Sequence, residues 1–238
     1  MARKHGLGGA QERGVGTSDA GNDALRLNYG QVTRLLTSVL KVDGGKAVAL
    51  SGRLKHFQRS RFPGGTNTGP GPRAVYRVDQ VFALVFAFRL LAMRFPPRDA
   101  AAAVEANRHT LRGMVLSAWH RSRESDGDGN AGESGNVGPL LAAVIPDGLE
   151  DLRRAGFENG PADVLSPVPQ RQVWAWMRGV DPLPTPGLVL LDVDAIVAET
   201  LKAVEDLGLA SETDIRNGFD DLAAQIEKAG QSDAGDHD

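Results

Sequence analysis

Apolar side chains recur at Val32, Leu35, Leu36, Val39 and Leu40, the spacing that lines one face of an α-helix. Asn28 ahead of them suits an N-cap, and Asp43-Gly44-Gly45 is a stop signal. The pattern predicts a second helix over 46–61, with Val48, Leu50, Leu54 and Phe57 as its apolar side. Arg53, Lys55, Arg59 and Arg61 surround the remainder. Pro63 to Pro72 consists of Pro, Gly, Thr and Asn alone, which excludes helix. Val75 and Tyr76 then favour a strand, so 73–77 reads as the returning edge of a β-ribbon, or wing. Residues 78–95 are apolar almost all round, as a buried central helix must be. Pro96-Pro97 ends it and suits the first turn of a further helix, predicted over 97–119. Val104, Leu111, Val115 and Ala118 form the stripe of that helix.

From 121 to 138 the apolar pattern vanishes, which marks a linker. Beyond it, short apolar runs at 140–145, 173–177 and 188–193 predict strands, and 147–155, 194–207 and 211–229 predict helices. Trp174 and Trp176 alternate within one predicted strand, so they would share a face as core or dimer contact. The expected fold is a mainly α N-terminal winged helix-turn-helix domain plus a small α+β C-terminal domain. Its parts are an arm at 1–27, the winged domain at 28–119 and a linker at 120–138. An acidic self-association domain at 139–229 and an acidic tail at 230–238 complete it.

Charge sharpens this division. Residues 28–123 carry 16 Lys/Arg against 4 Asp/Glu, whereas 124–238 carry 7 against 23. The near-neutral total of −3 conceals that segregation. A stretch this basic needs a polyanionic partner, or its own acidic half, to relieve self-repulsion. Nucleic acid is therefore the first expectation for the N-terminal half.

Composition removes several alternatives. The absence of Cys excludes disulfides, thiolate ligands and a Cys nucleophile, and fits a reducing cytoplasm. The first residues lack an apolar h-region, so no secretory signal is expected. Val81 to Met93 is the most apolar run, but it holds Arg89 and is shorter than the roughly 20 residues a bilayer requires. The five His have no ligand-like spacing, so neither metal nor cofactor is expected. Asp192-Val-Asp194 after an apolar run invites a phosphatase reading, yet Ala195-Ile196 follow it. A strand leading into a helix capped by Asp192 or Asp194 is the simpler expectation, and no enzyme is predicted.

The stretch Ser51-Gly-Arg-Leu-Lys-His-Phe-Gln-Arg-Ser-Arg-Phe-Pro63, the Gly-rich loop, and Arg73-Ala-Val-Tyr-Arg-Val-Asp-Gln-Val81 together resemble the winged helix-turn-helix of MerR-type regulators. Leu54, Lys55, His56, Phe57 and Gln58 match that family's Leu-Arg-Tyr-Tyr-Glu in kind, and Arg73 and Tyr76 match its wing return. Arg61 stands where the family prefers Gly. The resemblance implies a regulator that binds double-stranded DNA, with Lys46, Ser51, Arg53, Lys55, His56, Gln58, Arg59, Arg61, Asn67, Arg73, Tyr76 and Arg77 as its contacts.

Chemistry supports those roles. Arg53, Lys55 and Gln58 can donate to base edges in the major groove, with His56 beside them. Arg59, Arg61, Arg73 and Arg77 suit phosphates, which fix register without reading sequence. A homodimer would match two half-sites, and the acidic C-terminal domain offers a surface for a protein partner. The expected location is the cytoplasm, on the nucleoid. The alternative expectation is a nucleoprotein or adaptor module that tolerates any sequence.

Overall fold

The computed structural model describes residues 24–66, 74–126, 138–144, 166–181 and 188–234. Helix α1 (Tyr29–Val39) forms where its spacing demands. The Asn28 side chain accepts from the Gln31 amide, and the Gln31 side chain accepts from the Asn28 amide, a reciprocal capping box. Val32, Leu35, Leu36 and Val39 are buried, each contributing roughly 1.5–3 kcal/mol through its removal from water. A short 3-10 turn, Gly44–Lys46, is capped by Asp43 and leads into α2 (Ala47–Arg59). Leu50, Leu54 and Phe57 of α2 face the core. Val48 does not: it is 84% exposed, because a step of two residues turns a helix by roughly 200°.

The strand after the Gly/Pro-rich stretch is β2 (Val75–Arg77), and its partner is β1 (Arg26–Asn28), just ahead of α1. They run antiparallel with Leu27 opposite Tyr76 and Arg26 opposite Arg77. Residues 24–27, assigned by sequence to the arm, thus belong to the fold. Leu25 and Leu27 are buried, and the Leu25 amide donates to the Asp214 carbonyl. Their alternation with Arg26 is a strand pattern, too short to stand out beside the Gly-rich residues before it.

Helix α3 (Val78–Ala92) is buried on nearly all sides. The single helix expected over 97–119 is divided into α4 (Pro97–Ala106) and α5 (Arg108–Asp126). Asn107 divides them: its side chain donates to the Ala103 carbonyl at 2.8 Å, the local competition that makes Asn a poor interior helix residue.

Farther on, β3 (Leu141–Val144) and β5 (Val189–Asp192) fall within the expected runs. With β4 (Ser166–Val168) they form an antiparallel sheet of order β4-β3-β5. The strand expected at 173–177 is instead the helix α6 (Gln170–Met177). A five-residue apolar run has no period that separates the two forms, and Pro169 sets the N-cap. Trp174 and Trp176 therefore point apart. Trp174 is about half exposed, and Trp176 packs on Ala143, Val168 and Val173. The helix expected over 147–155 lies outside the described residues. α7 (Val193–Asp206) and α8 (Glu212–Ala234) match their predictions closely. Asp192 caps α7 by accepting from the Ala195 amide, as the simpler reading of that motif holds.

The linker does not divide the core. α7 packs on α1 and α5, and α8 packs on α3 and α5. Phe219 of α8 stacks on Trp119 with ring centres 4.5 Å apart and approaches Phe82 at 6.0 Å. A Cβ on Gly218 would lie 2.6 Å from a Val78 methyl, so α8 approaches α3 as closely as glycine permits. The basic and acidic stretches meet along this seam through Arg89–Glu199, Arg121–Asp194 (2.6 Å) and Arg123–Glu212 (3.6 Å). The described residues are thus mainly helical, with two small antiparallel sheets among them. Among the described residues no helix is long and apolar enough to cross a membrane.

Candidate nucleic-acid interface

From Gly44 to Val78 the chain holds seven Lys/Arg and no Asp or Glu. Folding places most of the described ones on the outside of α2 and at its two ends. Lys46 ends the 3-10 turn, and Arg53, Lys55, His56 and Arg59 are exposed along α2. Arg61 follows, also exposed, in the turn that closes the helix. The inner side of α2 is held by aromatic packing. Phe57 meets Phe62 at 5.1 Å and the edge of Phe88 at 5.4 Å.

The closing turn bears on Arg61 directly. The Phe62 amide donates to the Phe57 carbonyl and the Arg61 amide to the Gln58 carbonyl, the double bond of a Schellman motif. Arg61 adopts a φ of 58° there, the left-handed conformation in which glycine is usual.

Four of the expected contact residues serve the fold instead, in whole or in part. Tyr76 is fully buried and its hydroxyl accepts from Gln58 Nε2 at 2.7 Å. Burial raises the Tyr76 pKa despite that bond, which keeps the phenol neutral. Gln58 is half-buried and committed to Tyr76, so it is not a free donor to adenine. Ser51 Oγ lies 2.8 Å from Tyr29 Oη and ties α2 to α1. Arg77 is exposed but stands 3.9 Å from Asp79, and with Arg26 and Asp221 it borders a crevice beneath α8. Asn67 and Arg73 lie outside the described residues.

Beneath the face runs a network that periodicity could not reveal. Asp79 is buried and receives Arg112 at 2.5 Å and Arg108 at 2.8 Å. Burial pushes its pKa up, but the bonds from Arg112 and Arg108 outweigh that and hold it below the usual carboxylate range. Arg108 also donates to the Gly64 carbonyl at 2.9 Å, and Gln80 donates to the same oxygen at 3.1 Å. Glu105 accepts from the Gly64 amide at 3.2 Å. Every polar group of the Gly64 backbone is therefore held from α3, α4 or α5. A Cβ at Gly64 would fall 2.5 Å from Glu105 Oε1.

No family model, curated protein or solved structure matches this chain.

The site is therefore read from its own chemistry. The cations of α3 and α5 differ from those of α2 and its two ends, while Arg34, Lys41, Arg94 and Arg98 are exposed elsewhere with no ion pair among the described residues. Arg89, Arg108, Arg112, Arg121 and Arg123 all pair with carboxylates. Lys46, Arg53, Lys55, Arg59 and Arg61 have no carboxylate within ion-pair distance among the described residues. An exposed helix face of unopposed cations raises the local concentration of an anion and can donate to oxygens in a row.

Proposed function

We propose that this protein binds double-stranded DNA with α2 as its recognition helix, as a transcription regulator of MerR-like type. Two copies pair to match two half-sites. One observation carries this reading. The internal ion pairs take up the cations of α3 and α5 and leave those of α2 open to solvent. A fold that needed these charges only for solubility would not concentrate one sign on one helix.

On this reading Arg53 meets a base edge, His56 stands beside it, and Lys46, Lys55, Arg59 and Arg61 meet phosphates. The test is selection of bound duplexes from a random-sequence pool by the full chain. A regulator enriches a defined site. Arg53→Ala then binds that site more weakly by about 1–3 kcal/mol and loses preference at one base pair. Retention of both affinity and preference by the variant removes Arg53 from the interface. Binding without enrichment favours a sequence-tolerant nucleoprotein role instead.

A further inference from the structure

Gly52 stands in the middle of α2, on its exposed side. Glycine there is unfavourable relative to alanine, because a helix interior gains nothing from its freedom. Two structural reasons for an interior glycine are a left-handed φ and a close packing partner, and both are absent at Gly52. Gly52 lies within a continuous helix and is not among the residues of positive φ. A Cβ built on it would meet nothing within 4 Å. Neither backbone conformation nor packing therefore gives cause to omit a side chain at this position. Gly113 and Gly230 are equally open, but neither sits among unopposed cations.

The neighbours of Gly52 give the omission a meaning. One turn before it is Val48, the most exposed large apolar side chain among the described residues. Ala49 is exposed one turn before Arg53, and Arg53, Lys55 and His56 follow within the next turn. The outer face of α2 thus begins with small or apolar residues and becomes cationic towards its end. A helix lying in a major groove needs that order: no bulk where its backbone comes nearest the base pairs, and cations where it meets guanine edges and phosphates.

We propose that Gly52 marks the closest approach of α2 to the floor of the major groove, with the Val48 methyls against a thymine methyl. The proposal rests on the DNA-binding reading above and specifies how that site tells sequences apart. It assigns selectivity to two residues that carry no charge.

The test uses the full chain, the duplex enriched from a random pool, and the variants Gly52→Ala, Val48→Ala and Gly113→Ala. Gly52→Ala and Gly113→Ala should each raise Tm by about 2–4 °C, as alanine does in an open helix position. Gly52→Ala should nevertheless bind the enriched duplex at least tenfold more weakly, while Gly113→Ala binds as the parent does. Val48→Ala should lower the preference for thymine over cytosine at one position. A more stable Gly52→Ala protein that binds within twofold of the parent overturns the proposal and leaves the DNA-binding reading standing. A parent chain that enriches no duplex and retains none overturns both.

Discussion

Arg61 shows most plainly how single residues depart from what their local backbone wants. Its φ of 58° calls for glycine, and the α1 and α3 ends repeat the choice with Lys41 at 51° and Arg94 at 73°. α6 and α7 end instead on Gly179 and Gly208 at comparable angles. A cation near a helix C-terminus offsets part of the strain through the dipole. Replacing Arg61 by Gly should therefore stabilise the fold by about 1 kcal/mol in denaturant titration. On the proposed function it should also lower DNA affinity, since Arg61 would supply one phosphate contact. Stabilisation with no loss of binding would return Arg61 to a purely structural role. The sequence showed Arg61 in an unusual place but not why. The turn's two hydrogen bonds and the left-handed φ supply the reason.

At the level of elements, α1 was legible in full, because its N-cap, stripe and stop signal agree with one another. α2 was legible in position but not in every facing. Val48 entered the apolar stripe by hydropathy, although its angle from Leu50 places it outside. α6 was misread as a strand because five apolar residues carry no decisive period. The pairing of Gln58 with Tyr76 and the binding of Gly64 by Arg108 join residues far apart in sequence, which local pattern cannot reach. Asp79 is the element-scale keystone, since it holds α5 against α3 and, through Arg108, fixes Gly64. Asp79→Asn should cost about 3–5 kcal/mol, because it leaves two guanidiniums without their carboxylate. The pH dependence has a definite sign. The folded carboxyl sits below its ordinary value, so its contribution is complete above about pH 4 and is lost as pH falls through the folded pKa. Acid unfolding of the parent should show that loss, and Asp79→Asn should lack this part of the slope. Identical acid transitions in the two proteins would contradict the assignment.

Across the whole molecule, the two signals that mark a boundary at 120–138 describe the chain's surface and spacing, not its core. Charge reverses there and apolar pattern lapses, yet Phe219 stacks on Trp119 and α7 lies on α1. Nothing in a linear pattern says which apolar faces meet. The charge segregation acquires a physical use in the fold: the acidic stretch neutralises the cations along the seam and leaves α2 uncovered by any ion pair among the described residues. Selective neutralisation of this kind has a signature in the salt dependence of binding. It is tested most directly by the slope of log Kd against log salt for a duplex, measured on the parent, Arg59→Ala and Arg123→Ala. Each phosphate contact contributes close to one unit of slope. The slope should fall by about one for Arg59→Ala and stay unchanged for Arg123→Ala, whose partner is Glu212. Equal slopes in all three, or a parent whose binding ignores salt, would contradict the account.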